Sequence, residues 1–266
     1  YVPNKDGITD MYEMGVAMTH SVSVNKVFNG AGIRFNYTGI DYDGMLKNFD
    51  NMKRHTFDLR VNMDLAKWLS SEISVNYQLE TADTMWDIDG QYETFREASN
   101  NYNYEGVISY NRNIKKVSLS ANLGTSMQKN DWYKLWNQVS QLAAPDVKSL
   151  SNNASILSGT ESVNAKEKQS VFGMLSLGYH GLFVDGTFRN DWSSSLPKAN
   201  NSYFYASGSA SAVLTEIFPK LKSKTFSFAK LRGSIARVGN DAGFDRLINS
   251  YSYGGLFRND TVSYTH

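Results

Sequence analysis

The side chains that could carry chemistry are scattered along this sequence and form no catalytic group. The chain has no cysteine, so it can build neither a disulfide nor a thiolate metal site. Its four histidines lie in four separate segments, without the spacing of metal ligands: His20, His55, His180 and His266. No serine stands in a G-x-S-x-G elbow. The sequence therefore predicts no enzyme activity, no metal centre and no cofactor.

Three aspartates fall close together in one polar segment, at Asp83, Asp87 and Asp89. Their carboxylate oxygens would suit calcium, but the glycine-turn spacing of an EF-hand loop is absent. A solvated acidic loop that holds no metal is the favoured interpretation of this segment.

Aromatic side chains in polar segments are a second kind of candidate. Trp86 lies in one such segment, and Trp132, Tyr133 and Trp136 lie in another. We expect both segments to be long loops, where flat aromatic rings could stack on the rings of a sugar. Two alternatives stay open, because the same residues could pack within their own loops or hold a partner protein.

The composition limits the elements that could position these residues. The chain has 266 residues, with 27 Lys and Arg against 26 Asp and Glu, so a net charge of +1 gives no reason to expect a nucleic-acid partner. Aromatic residues make up 13% of the chain. No run approaches the roughly 18 apolar residues of a transmembrane helix, so such a chain could span a membrane only as a closed sheet.

Alternation of apolar and polar residues is the dominant pattern, and it recurs in segments of about ten residues, the length of a tilted strand that crosses a bilayer. In the clearest segment, Phe57, Leu59, Val61, Met63 and Leu65 alternate with polar side chains. Segments of this kind predict about ten strands: 16–24, 33–38, 56–65, 72–80, 102–112, 117–127, 169–179, 182–191, 203–214 and 225–238.

The connections between these strands alternate in length. Short links are expected near 26–31, 66–70, 113–116 and 180–181, and long polar ones near 40–54, 82–101, 129–168 and beyond 239. Outer-membrane barrels sort their connections in this way, with short periplasmic turns and long extracellular loops. The sequence therefore predicts an all-β, antiparallel transmembrane β-barrel in contact with lipid. Because sheet edges cannot face lipid, we expect strands from missing sequence or from other chains to complete these ten into a larger barrel. Ten strands could also close a small barrel alone, but the sequence stops in mid-pattern, which favours the larger barrel.

A soluble antiparallel sandwich is the main alternative fold, since it also gives strands with one polar face. Full charges on the polar face, a nearly uninterrupted apolar face and strands longer than the usual five or six residues favour the barrel. In a barrel, tyrosines near strand ends would form interfacial aromatic belts. We assign five tyrosines to such belts: Tyr102, Tyr104, Tyr179, Tyr203 and Tyr205.

Three segments resemble the SusC/RagA-like TonB-dependent transporters. In 183–197, Arg189-Asn190-Asp191 is similar to the arginine and aspartate of the family's strand-to-loop segment, although Trp192 replaces the usual glycine. The segment 203–211 resembles the next family strand, with Ala206 where a proline is common. The segment 228–240 is similar to the family strand that carries lysine-leucine-arginine, here Lys230-Leu231-Arg232, and ends in glycine-asparagine.

This resemblance implies a barrel of about 22 strands, a plug domain and a TonB-contacting segment. It also implies an outer-membrane location, a SusD-like surface lipoprotein partner and energy-coupled import of oligosaccharides or peptides. The plug and the TonB-contacting segment are not in this sequence, so we interpret residues 1–266 as part of the barrel domain of a longer chain. The alternative function is that of a soluble or surface-exposed carbohydrate-binding β-protein without transport activity.

Charged residues on the predicted polar face would line the lumen of such a barrel: Arg60, Asp185, Arg189, Asp191, Lys230 and Arg232. They could contact the plug or solvate the path of the substrate. The favoured interpretation is simpler, namely that they keep the interior of the barrel wet.

Overall fold

The protein forms a single antiparallel meander of ten strands. The computed structural model describes residues 13–45, 50–88, 91–144, 147–222, 227–239, 251–257 and 260–265. The strands are β1 (Val16–Phe28), β2 (Ala31–Asp43), β3 (Asp50–Ala66), β4 (Leu69–Ile88), β5 (Gln91–Ile114), β6 (Val117–Val139), β7 (Leu157–Tyr179), β8 (Leu182–Ser193), β9 (Ser202–Val213) and β10 (Lys230–Ala236). Each strand pairs with its neighbours in sequence, so β1 and β10 are the edges of an open sheet.

The remaining elements are small. Strands β11 (Tyr251–Phe257) and β12 (Asp260–Thr265) form a separate two-stranded sheet. After β9 come one short helix, α1 (Leu214–Ile217), and a 3-10 turn at Pro219–Leu221; another 3-10 turn lies at Lys198–Asn200. Among the described residues, no helix is long and apolar enough to cross a membrane.

The short and long connections are sorted between the two ends of the sheet only in part, because the long segment 214–229 between β9 and β10 lies at the same end as the short turns, and β4 and β5 are only two residues apart at the other end. Two-residue turns join β1 to β2, β3 to β4, β5 to β6 and β7 to β8, and we call this side the turn end. The connections on the other side, the loop end, include the long segment 140–156 between β6 and β7. At His180-Gly181 both turn residues have positive φ, 46° and 79°, as a type I′ hairpin turn requires.

Replacing Gly181 with alanine should weaken this turn. An L-residue at φ 79° is strained, and the added Cβ would lie 3.0 Å from the Cβ of Glu216 and 3.2 Å from the carbonyl oxygen of Val213. We expect a loss of about 1–2 kcal/mol in unfolding free energy, measured by urea unfolding of the full-length protein in lipid vesicles. The matched control is Gly186→Ala, whose new methyl group would meet open space; an equal loss in both variants would contradict the argument.

The two faces of the sheet have opposite chemistry. We call the side that bears Val61, Ile73, Leu123 and Val184 the apolar face, and the side that bears Asn76 the polar face. Side chains on the apolar face remain exposed to a large extent: 52% for Ile73, 56% for Leu123 and 57% for Val184. Among the described residues, only four hydrophobic side chains are buried: Tyr92, Val139, Leu142 and Val213. A soluble sandwich would instead cover its apolar face with a second sheet.

The strands are longer than the sequence predicts. Strands β4 to β7 have 20, 24, 23 and 23 residues, so most of the expected long loops at 82–101 and 129–168 are paired strand. The prediction failed there because both faces become polar towards the loop end, which removes the alternation while the backbone ladder continues. The expected loop at 40–54 is likewise strand up to Asp43 and again from Asp50. Strand β10 is shorter than expected and begins at Lys230.

Candidate functional site

The polar face carries ladders of amide side chains that follow the strand register. Asp58, Asn76, Asn103 and Gln128 lie opposite one another on β3 to β6. The amide of Asn76 donates to Asp58 Oδ1 at 2.5 Å, and the amide of Asn103 donates to Asn76 Oδ1 at 3.1 Å. One row towards the loop end, the amide of Asn130 donates to Asn101. Because side chains two residues apart on a strand share a face, these rows form one continuous hydrogen-bonding surface.

Ion pairs occupy the polar face between these amides and the loop end. Arg54 Nε lies 2.6 Å from Glu80 Oε2, and Lys134 Nζ lies 2.7 Å from Glu97 Oε1. All four side chains are 29–40% exposed, so solvent weakens the pairs. The positive and negative charges of these two pairs cancel locally.

The predicted aromatic cluster is divided between the two faces. Trp132, Tyr133 and Trp136 lie on strand β6 and not in a loop. Trp132 and Trp136 share the polar face, whereas Tyr133 lies on the opposite side because it is one residue away from Trp132. The indole N–H of Trp136 donates to Glu93 Oε2 at 3.2 Å, and the Trp136 ring lies 6.4 Å from that of Phe95. The backbone of Trp86 pairs with Glu93 in the sheet, and its side chain lies outside the described part of the structure.

A buried ionic cluster joins β7, β8 and β9 on the polar face. Arg189 Nε lies 2.7 Å from Asp191 Oδ1, and the guanidinium also donates to Ser170 Oγ at 2.8 Å. The Tyr205 hydroxyl donates to Asp191 Oδ2 at 2.7 Å, and the Arg189 guanidinium lies over the Phe172 ring at 5.5 Å. Asp191 is only 2% exposed. The assignment of Tyr205 to an interfacial belt is therefore wrong, because its hydroxyl bonds inside this cluster.

The other four charged residues predicted for the polar face lie on it at separate points. Arg60 Nε is 3.5 Å from Glu72 Oε1, and both side chains are more than 40% exposed. Asp185 accepts hydrogen bonds from Ser176 Oγ at 2.5 Å and Ser209 Oγ at 3.0 Å. Lys230 Nζ lies 5.8 Å from the Phe183 ring centroid, and Arg232 is opposite Ser211.

An aromatic row crosses the apolar face on β2 to β5. Ring centroids are 5.0 Å apart for Tyr37 and Phe57, 6.1 Å for Phe57 and Tyr77, and 4.8 Å for Tyr77 and Tyr102. Lys129 Nζ lies 5.9 Å from the Tyr102 ring on the next strand. Tyr102 and Lys129 lie directly opposite each other, so an aromatic ring and a charged group meet at this level of the sheet. The position of Tyr102 in an interfacial belt stays a prediction.

The remaining candidates do not form a metal site among the described residues. His20 Nε2 and His55 Nδ1 both contact the Tyr37 hydroxyl, at 3.3 and 2.9 Å. No group of three or more His, Asp or Glu in the described ranges could hold a metal ion. Asp83 accepts a hydrogen bond from Arg96 Nε at 2.7 Å, which raises the pKa of Arg96. The side chain of Asp87, and all of Asp89 and His266, lie outside the described residues.

Sequence reasoning missed one folded connection at the loop end. The segment 140–156 turns back so that Leu142 packs with Tyr92 and Val139, and Met85 and Leu150 lie against them. Asn152 holds this turn, because its amide donates to the carbonyl oxygens of Ala144 and Val147 at 2.6 and 2.7 Å. The sequence signal was weak, since seven residues lie between Leu142 and Leu150 and the segment between them has no regular alternation.

Comparison with solved structures identifies chains with a similar fold. No protein-family model matches the chain, and no curated protein matches it. A structure of the RagAB peptide transporter matches with a TM-score of 0.68 and 12% identity, over 95% of this chain and 36% of that chain. The RagAB peptide importer in its "closed-closed" state matches with a TM-score of 0.67 and 13% identity, over 94% and 36% of the two chains. Its "open-open" state gives 0.65 and 14%, over 94% and 35%.

The chain thus spans about a third of the length of these solved chains. They are described as a peptide transporter and a peptide importer. Its ten antiparallel strands form one open sheet, as expected for a part of a larger closed barrel. The chain therefore has the fold of a section of the β-barrel of a RagA-like, SusC-type TonB-dependent transporter.

Proposed function

We propose that this chain is part of the wall of an outer-membrane barrel that imports nutrients in a TonB-dependent manner. The observation that carries the proposal is the single-layer sheet, with an exposed apolar face on one side and an amide-rich polar face on the other. In a barrel the apolar face would contact lipid and the polar face would line the lumen. The six charged residues of the polar face, Arg60, Asp185, Arg189, Asp191, Lys230 and Arg232, would then keep the lumen hydrated.

The length of the apolar stretch supports a membrane location. On β6 the apolar face runs from Val117 to Met127, and Lys129 is the next residue on that side. Ten residue steps of about 3.3 Å cover about 33 Å along the strand, which is about 25 Å of height at a tilt of about 40°. An apolar band of about 25 Å is typical of outer-membrane barrels. The polar extensions of β4 to β7 beyond this band would then stand on the extracellular side.

The cargo that we favour is a peptide, because the matching solved structures are described as peptide transporters. An oligosaccharide is the second candidate, and Trp132 and Trp136 support it because both rings belong to the polar face. Tyr133 lies on the opposite face, so it does not support sugar binding in the lumen. Trp86 stays a candidate for sugar binding on the basis of the sequence alone. We further propose a SusD-like lipoprotein as partner at the loop end, and TonB as the source of force through a part of the transporter outside this sequence.

The test is uptake by cells that produce the full-length protein. We expect it in the outer-membrane fraction, soluble only in detergent, and we expect cells to accumulate labelled oligopeptides or oligosaccharides. A strain without TonB, and wild-type cells treated with a protonophore, should each lose this uptake. Purification without detergent, together with sugar binding but no uptake, would instead support a soluble carbohydrate-binding protein.

A further inference from the structure

We infer that the polar face holds a subsite for a carboxylate group of the imported solute. The subsite, which we call the amide–lysine patch, consists of Asn101, Asn103, Gln128, Asn130, Lys166 and Lys168 on strands β5 to β7. This inference rests on the proposed function, because it assigns a chemical preference to the same lumenal surface.

The patch is a shallow cavity with a chemically uniform lining. Its volume is about 410 Å³, and every side chain around it is an amide or a lysine, with no carboxylate among them. The strand register produces this arrangement: Asn103, Gln128 and Lys168 lie opposite one another, and so do Asn101, Asn130 and Lys166. Two amide rows thus each end at a lysine of β7.

Lys168 differs in its surroundings from three other cations of the polar face, which are neutralised by a carboxylate. Arg54, Lys134 and Arg189 each form an ion pair of 2.6–2.7 Å with a carboxylate. Within the described ranges, Lys168 has no carboxylate oxygen within 4.0 Å of its ammonium group. Its charge is therefore available to a solute that enters the cavity.

Three acidic residues of the polar face lie in the row of Lys168 or in the next row towards the turn end, and none of them forms an ion pair with Lys168. Asp191, opposite Ser170, already bonds to Arg189 and Tyr205. Asp58 accepts a hydrogen bond from Asn76 at 2.5 Å, on the side away from β7. Glu105 lies opposite Ser126 on β5, two strands from Lys168 and one row towards the turn end. With strands about 4.8 Å apart and residues about 3.3 Å apart, the two backbones are separated by about 12 Å.

This combination of groups suits a carboxylate attached to a polar chain. An ammonium group supplies three donors and a point charge, and each amide supplies two donors and one acceptor. Lys168 would therefore hold the anion, while the amides bond to the neighbouring N–H, C=O or hydroxyl groups of the solute. Both acidic peptides and oligosaccharides with uronic acid residues present this chemistry.

The experiment measures binding to the detergent-solubilised full-length transporter with its partner, and compares wild type with Lys168→Gln. The probes are a glutamate-containing peptide with an amidated C-terminus, its glutamine analogue, an oligogalacturonate and its neutral methyl ester. We expect Lys168→Gln to weaken binding of the acidic member of one pair by about 10-fold, as for the loss of one charge-assisted hydrogen bond. The neutral member should bind equally well to both proteins.

The pair that responds identifies the source of the carboxylate, and Lys116→Gln, in the turn between β5 and β6, is the matched control that should change nothing. Equal weakening of acidic and neutral probes, or no change in either, would overturn the subsite while leaving import intact. If wild type binds none of the probes and cells show no TonB-dependent uptake, the proposed function fails and the subsite fails with it.

Discussion

Replacing Asp191 with alanine should destabilise the barrel by about 2–4 kcal/mol. The carboxylate is 2% exposed and bonds to Arg189 and Tyr205. Its removal leaves the Arg189 guanidinium without its counter-ion in a partly desolvated position. The range lies below the about 3–5 kcal/mol typical of a fully buried pair, because the Arg189 side chain is 30% exposed. Urea unfolding of the full-length protein in lipid vesicles measures the effect.

The matched control is Asp185→Ala on the same strand and the same face. Within the described part of the chain, Asp185 bonds to two serine hydroxyls and forms no ion pair, so its removal should cost only about 1 kcal/mol. A second comparison uses the double variant Arg189→Gln/Asp191→Asn, which removes both charges together and should be milder than Asp191→Ala alone. Equal losses for Asp191→Ala and Asp185→Ala would show that the buried ion pair has no special role.

Placing an arginine at Val61 should destabilise the protein by about 2–4 kcal/mol in the membrane. Val61 lies at the middle of the apolar stretch of β3, opposite Ile73 of β4. If the apolar face contacts lipid, the guanidinium must either leave water or distort the bilayer around it. The measurement is the urea unfolding free energy of the full-length protein in vesicles, together with its yield in the outer membrane of cells.

The neighbouring variant Asn62→Arg tests the assignment of the faces. Asn62 is exposed and lies opposite Glu72, on the polar side of the same strand. A charge there would enter the aqueous lumen, so we expect little change in stability or yield. Equal tolerance of arginine at both positions would contradict the proposal that the two faces meet lipid and water.

The candidate site shows where sequence reasoning reached its limit. Alternation alone places Arg189 and Asp191 on one face, since they are two residues apart on one strand. It could not show that Ser170 and Tyr205, from the flanking strands, complete their hydrogen bonds. Such partners depend on the register between strands, which non-local backbone hydrogen bonds fix and the local pattern does not specify. The register between strands also places Lys168 in one row with the amides of β5 and β6.

The sequence by itself determined the fold class, the two faces and the positions of the tight turns. These features are local: period-two alternation defines a face, and the positive φ angles at His180 and Gly181 belong to a two-residue hairpin. Only the tertiary structure decided how far β4 to β7 extend, and that Trp132 and Tyr133 are strand residues on opposite faces. The sequence pattern could not predict these strand ends, because beyond the apolar band both sides of a strand can be polar. Pairing with neighbouring strands, and not a hydrophobic pattern, then keeps the backbone extended.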